Sequence, residues 1–477
     1  MSLRTPEQYL KGLRDDRAVY YRGERVPDVT EHLDLGLAAR HASIDFMLPK
    51  DPRHRDLAVV TEAGEAYSSY YRIPRSADDL LARSRLIELG TTEGGTLVLL
   101  IKEIGTDALF ALMRILAAAG ERDGEERVRA FHRRCRNEDA ALAVAQTDVK
   151  GDRSRHPHAQ DDPDLYLRVV DRSDEGIVVR GAKVHTSCAP YVDHLIVLPS
   201  RTMGPEDEAW SVAFTVPVAT AGVRLYAADF LGGTEDPFTQ PISSAHRMIE
   251  TLTVFDDVFV PWDQVFFALR PDLAGPAALT FVEFHRFTAV SYKLPLLDAL
   301  VGASVAVAEA NGIQGAGHVR DKLTWLIGYA ETVRALTHLA AVRARKDGAI
   351  VHPDVLTTNL AKWSFARDFH RALEVVQDLA GGLLVTGPSG ADWESGEVRP
   401  VLEKYLRGAW PAGRRMAILN LIADLTSGPY GGYQAVLAIH AEGSIEPEKM
   451  ALLRAYDPGR AVSLALRLAK LDAETES

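Results

Sequence analysis

Two pieces of sequence decide the reading of this chain: AQTDVKGDRS at 145–154 and GAKVHTSCAPYVDHLIVLPS at 181–200. Between them, LYLRVVDRSDEGIVVRG (165–181) alternates apolar and polar residues around a turn at 173–176, the pattern of a β-hairpin. The first piece carries Thr147, Asp148, Gly151 and Ser154, short polar groups and a flexible glycine, and reads as a loop. Backbone N–H groups and hydroxyls in such a loop can lie along an oxygen-rich or heteroaromatic ligand. The second piece sets Thr186 and Ser187 ahead of an apolar strand at 194–199. The residues alone leave two readings open: paired ligand-binding loops, or ordinary turns of a β-rich unit.

Outward from this hairpin the pattern changes on both sides. Residues 1–140 read as a helical N-terminal domain. Proline in its first turn favours a helix start at Thr5-Pro6-Glu7. YYRGERVPDVTEH (20–32) reads as an exposed strand and turn leading into the next helix. Helical apolar spacing covers 80–89 and 97–119, the latter apolar nearly all round and so buried. The charged run 121–136 reads as a solvated helix face. Residues 141–275 read as a β domain, with strands at 210–216, 223–227 and 252–260 and Pro261 ending the last. Residues 276–477 read as a helical bundle with long amphipathic stretches at 279–311, 319–346, 353–379 and 401–425. The acidic end, DAETES, reads as a frayed tail.

Bulk properties limit the function. The 477 residues suffice for two or three domains, and 47% hydrophobic with 25% charged content is that of a soluble globular protein. A net charge of −12 argues against non-specific nucleic-acid binding. The N-terminus has no apolar signal core, and no uninterrupted apolar run approaches the roughly 20 residues that span a bilayer. The only two cysteines, Cys135 and Cys188, fit a reducing cytoplasm and do not make a disulfide framework. There is no P-loop, H-E-x-x-H or C-x-x-C motif, and no GxGxxG with an acidic ribose partner. His156-Pro157-His158 lies in an acidic loop and reads as surface, and Cys188 as a packing residue.

The loop pair resembles the flavin-binding loops of the acyl-CoA dehydrogenase-like fold. TDVKGDRS with GAKVHTS is closer to one branch, the 4-hydroxyphenylacetate 3-monooxygenase / 4-hydroxybutyryl-CoA dehydratase family. The likeness runs from RTPEQYLKGLRD (4–15) through TLTVFDDVFVPWDQVF (251–266) to HAEGS (440–444). It implies an α+β protein in three parts: a helical N-domain, a β-barrel-like middle domain and a C-terminal helical bundle, assembled as a homotetramer or dimer. It implies FAD held by Gln146, Thr147, Asp148, Gly151, Arg153, Ser154, Thr186 and Ser187, with Gly381-Gly382 near the adenosine end across a subunit interface. SGPYGG (427–432) is expected near the active site.

The same resemblance shows what this chain has changed. The dehydratase branch holds an iron–sulfur cluster with one histidine, matched by His285, and three cysteines, which read here as Leu99, Glu103 and Tyr292. Thiolates hold such clusters, so none is expected. Of its acid–base residues Glu250 is kept, the tyrosine reads Ala289, and a second glutamate reads Leu437. Glu250 and His285 form an acid–base pair if they meet in space. The phenol-binding arginine, tyrosine and histidine of the hydroxylases align near Ile104, Ala108 and Val144. The expected activity is that of a two-component monooxygenase using FADH₂ from a separate flavin reductase, acting on a specialised metabolite rather than a simple phenol. A cluster-free acyl-thioester dehydratase or isomerase is the alternative, and a catalytically silent flavin-fold protein a third.

Overall fold

The computed structural model describes residues 3–229 and 236–471, and the acidic DAETES end lies outside them. Its strands are β1 (Ala18–Tyr21), β2 (Glu24–Val26), β3 (Val59–Glu62), β4 (Glu65–Ser68), β5 (Leu142–Ala145), β6 (Arg168–Arg172), β7 (Gly176–Lys183), β8 (His194–Val197), β9 (Ala213–Pro217), β10 (Val223–Ala227), β11 (Thr251–Pro261) and β12 (Val265–Phe267), followed by a late hairpin of β13 (Arg345–Asp347) and β14 (Ile350–His352). The central unit consists of two sheets, ordered β2-β1-β10-β11-β7-β6 and β12-β9-β8-β5. Phe214 of β9 meets Phe255 of β11 edge to face at 5.9 Å, which locks one sheet on the other. Among the described residues the two sheets are not hydrogen-bonded into a closed ring, so a two-sheet packing replaces the barrel-like expectation.

The β6–β7 hairpin forms as the alternation requires, antiparallel, with Arg172 opposite Ile177. β11 carries a bulge between Phe255 and Val258, where Asp257 takes a positive φ of 51°. Residues 18–26 form the strand and turn read at 20–32, though as a paired hairpin rather than an exposed strand, with Val19, Tyr21 and Val26 buried. The hairpin turns at Arg22-Gly23, both with positive φ, and β1 pairs in parallel with β10 of the central sheet.

Helices flank the sheets. Ala77–Glu93, Glu103–Ala119 and Arg122–Glu138 are the long helices of the first part, and Pro271–Asn311, Gly317–Val342, Val355–Ala380 and Ala412–Thr426 those of the bundle. By length and composition Pro271–Asn311 passes for a membrane span, yet 61% of its most apolar window is buried inside the protein. Two helix expectations fail for backbone reasons. The apolar run at 97–102 is not helical, because Gly95, Thr96 and Leu100 adopt positive φ. The stretch 401–425 breaks into Arg399–Tyr405 and Ala412–Thr426, since Gly408 abuts the Ala310 carbonyl and Pro411 caps the second helix.

Candidate active site

The two loops meet because β5 and β7 end side by side. Val184 N–H donates to the Thr147 carbonyl at 2.8 Å, and Asp148 bridges Lys183. The buried Lys183 ammonium donates to Asp148 Oδ1 (2.5 Å), the Gln146 carbonyl (3.0 Å) and the Leu198 carbonyl (2.9 Å). Ser200 Oγ donates to the other Asp148 oxygen. A buried ion pair with both partners fully hydrogen-bonded fixes the entry to the first loop. Asp148 therefore serves as the loop's anchor. Beyond it Gly151 turns with φ +50°, and Ser154 folds back through its N–H and Oγ onto Asp152, while Arg153 and Ser154 are exposed. Gln146 Nε2 reaches the Ala278 carbonyl at 3.5 Å.

The second loop is strained. His185 and Cys188 both sit in the left-handed region, at φ 56° and 67°, a conformation that persists in side-chain-bearing residues only where the surroundings enforce it. The enforcement is visible. Thr186 N–H donates to the Thr251 carbonyl, Thr251 Oγ1 donates to the Thr186 carbonyl, and Cys188 N–H donates to the Ile249 carbonyl. Cys188 Sγ contacts the Leu99 carbonyl at 3.7 Å, tying this loop to the equally strained 94–101 segment, and burial pushes its thiol pKa up. With the backbone satisfied, the Thr186 hydroxyl is buried and has no hydrogen-bond partner among the described residues. An orphaned buried hydroxyl is costly unless a ligand supplies the missing contact.

Ser187, next along the loop, donates to Glu250 Oε2 at 2.7 Å, and Tyr433 donates to Oε1 at 2.9 Å. Burial pushes the Glu250 carboxyl above its ordinary range, opposed by these two hydrogen bonds. Burial, and then the neighbouring carboxylate, raises the Tyr433 phenol well above its usual value. Tyr433 lies on the helix Pro429–His440, delivered by the SGPYGG turn. Gly431 packs so closely that a Cβ there would sit 2.6 Å from the Thr426 backbone. On the same helix Tyr430 shares a 2.9 Å hydrogen bond with Thr96 and accepts another from Gln434. Tyr433 was not singled out from the sequence, although the turn that carries it was.

His285 has a separate environment. Its Nδ1 lies 3.3 Å from Asp107 Oδ2, its ring stacks on Phe281 at 5.3 Å, and Arg83 pairs with Asp107 at 2.8 Å. No hydrogen bond among the described residues joins His285 to Glu250, so the two form separate polar groups. The positions matched to cluster cysteines do not fit a cluster. Leu99 and Glu103 are buried, and Tyr292 donates to Glu442, which also accepts from Lys293 at 3.1 Å. Leu437 offers no acid, but the C-terminal region brings in two other glutamates, Glu442 and the fully buried Glu448, which pairs with Lys362 at 2.9 Å. Ile104, Ala108 and Val144 are buried apolar residues. Gly381 holds φ 76° and ψ −174°, a conformation for glycine alone, and both Gly381 and Gly382 are exposed in the single chain. His156 and His158 flank Asp207, at 3.3 and 2.7 Å, and tie one loop to another.

Two packed sheets flanked by helices give the chain an acyl-CoA dehydrogenase-like fold. Butyryl-CoA dehydrogenase of Megasphaera elsdenii shares that fold at 14% identity and a TM-score of 0.51. More specifically, residues 5–267 match the 4-hydroxyphenylacetate 3-hydroxylase N-terminal model and 274–470 the C-terminal model, and the chain belongs to this family. It is 30% identical over 438 residues to the 4-hydroxyphenylacetate 3-monooxygenase oxygenase component of Thermus thermophilus, covering 90% of each. A crystal structure of such an oxygenase component (HpaB) with FAD and 4-hydroxyphenylacetate superposes with a TM-score of 0.91 at 28% identity, covering 98% of this chain and 99% of that one. The 4-hydroxybutyryl-CoA dehydratase of N. maritimus superposes at 0.92 and 27% identity, covering 100% and 97%. The chain thus stands between an oxygenase branch and a dehydratase branch.

Proposed function

We infer that this protein is the oxygenase component of a two-component monooxygenase that receives FADH₂ from a separate reductase. The observation that carries the reading is the Thr186 hydroxyl, buried without a partner on a loop whose backbone is otherwise satisfied. It suits a hydrogen-bond acceptor on the edge of the flavin ring, and the first loop supplies Gln146 and Thr147 beside it. Bound reduced FAD supplies the oxygen-activating chemistry, and the protein supplies position and water exclusion. Glu250 holds or releases a proton at its carboxyl oxygens, set by Ser187 and Tyr433. Asp107 orients His285. The absence from the sequence of a dinucleotide fingerprint supports an external reductase.

The apolar set Ile104, Ala108 and Val144, where the hydroxylases carry phenol-binding groups, favours a specialised metabolite over a simple phenol. Cytoplasmic location rests on the unpaired, buried Cys135 and Cys188. A homotetramer or dimer is supported by the helix Gly459–Leu468, whose Val462, Leu464, Leu466 and Leu468 are all exposed in the single chain.

Anaerobic mixing with FADH₂ followed by oxygenated buffer tests the activity. An absorbance transient distinct from both reduced and oxidised flavin is expected. The raised Glu250 carboxyl supports a second reading, an acyl-thioester dehydratase or isomerase with Glu250 and His285 as acid–base residues. Tight flavin binding with immediate, transient-free reoxidation would favour it. Failure to bind flavin in either redox state would leave a structural role only.

A further inference from the structure

A cavity of about 640 Å³ opens beside the first loop, between the β unit and the C-terminal bundle. That volume suits a small organic molecule. One wall is a single stripe of the Pro271–Asn311 helix, in which Ala278, Leu279 and Val282 are followed by Arg286. Val355 and Ala451 stand among the apolar residues contributed by the Val355–Ala380 and Ile445–Ala455 helices. The cavity touches the first loop through two contacts already described, Gln146 to the Ala278 carbonyl and Ser200 to Asp148. None of Ile104, Ala108 and Val144 lines it.

The charges in this wall are unbalanced. Arg286 is only 6% exposed, yet its Nε donates to the Glu442 carbonyl (3.0 Å) and its Nη1 to Asn359 Oδ1 (2.5 Å), both neutral acceptors. It makes no ion pair among the described residues. Three acids also line the cavity, and each is engaged. Glu442 is held by Tyr292, Lys293 and Lys362, Glu283 by Arg114, and Asp354 by Arg345 and the Thr357 N–H. Arg454 faces the same cavity and pairs with no carboxylate among the described residues, where Arg201 contacts Tyr166. The carboxylates nearest Arg286, Glu448 and Glu442, are shared with Lys362 (2.9 Å to Glu448) and Lys293, so three buried cations face two carboxylates and Arg454 adds a further positive charge. An under-compensated buried guanidinium is costly, and an incoming anion lowers that cost.

We propose that this cavity anchors the substrate, and that the substrate is an organic anion: a carboxylate or phosphate ester on an apolar body, its charged end on Arg286 and Arg454. The role as substrate site rests on the monooxygenase reading; the anion site does not. The apolar stripe holds the body and directs it toward the first loop.

The test is fluorescence titration of the full chain with anilinonaphthalene sulfonate and with uncharged phenylnaphthylamine. The sulfonate is expected to bind about tenfold more tightly than the uncharged probe, and Arg454→Glu to remove about tenfold of the sulfonate affinity alone, the scale of a charge-assisted contact. Val282→Trp, which fills the cavity, should weaken both probes. Saturating FAD should leave the sulfonate bound. Equal affinity for the two probes, or indifference to both substitutions, overturns the anion site. Displacement by FAD overturns the substrate role, because the cavity then holds the flavin's own diphosphate. A wild-type chain that binds the sulfonate as expected but does not quench FAD fluorescence refutes the flavin reading and the substrate role with it, and leaves the anion site standing.

Discussion

At the scale of residues, Thr186, Lys183 and Glu250 separate binding from stability. Thr186→Ala removes a hydroxyl that makes no hydrogen bond among the described residues, so the thermal midpoint should hold or rise while FAD affinity falls about tenfold, the worth of one good hydrogen bond. Flavin fluorescence and a melting curve on the same sample check both halves. Lys183→Met should do the opposite first. It leaves Asp148 buried without its cation and should lower unfolding stability by about 3 kcal/mol in denaturant titration. For Glu250 the sign follows from burial. Its carboxyl binds a proton more tightly when folded, so its contribution to stability is fully present below the ordinary glutamate range and is lost as pH rises through the elevated folded value. Tyr433→Phe deletes one of the two hydrogen bonds that oppose the rise. The pH limb assigned to Glu250 in reduced-flavin reoxidation should therefore move upward, whereas a purely structural role for Tyr433 would leave the limb in place. Thr186 and Ser187 stand out in the sequence as short polar residues ahead of an apolar strand, whereas Glu250 is singled out by resemblance alone. Tyr433 is singled out by neither. A tyrosine on an otherwise apolar helix is indistinguishable from core until the helix is placed.

At the scale of elements, periodicity found those that obey their own local rule and missed those that tertiary contacts override. The β6–β7 hairpin and the strands at 223–227 and 251–261 follow from alternation. The LVLLI run at 97–101 carries strong helix-compatible apolar content, but positive φ at Thr96 and Leu100 turns it into a loop that meets Cys188 and Tyr430. Nothing in its composition signals that. At 18–26 the strand and turn were readable but the pairing was not: the partner strand, β10, lies some 200 residues away, and pairing at that distance leaves no local mark. The SGPYGG turn is the element on which Glu250 depends. Gly431→Ala should shift the Pro429–His440 helix off the Thr426 backbone and lower stability by about 1–3 kcal/mol, with a loss of flavin-linked activity in step. A melting curve with an unchanged midpoint would show that the helix tolerates the methyl group.

At the scale of the molecule, the three-part order is an expectation read from changes of period along the chain, and resemblance supplied the class. The first part mixes helices with hairpins at 18–26 and 59–68, and the first of these joins the central sheet. The helix Gly459–Leu468 buries none of its leucines in the single chain. Leu464→Asp with Leu468→Asp should reduce the mass measured by light scattering from that of an oligomer toward 52.2 kDa, the mass of one chain. The central claim is that the loops at 145–154 and 184–188 hold a flavin, and anaerobic equilibrium titration with FADH₂ addresses it most directly, comparing the wild type with Thr186→Ala. Saturable binding that weakens about tenfold in the variant, with its fold intact, is the predicted result. Equal affinity in the two proteins, or no binding by either, would contradict the assignment of these loops as the flavin site.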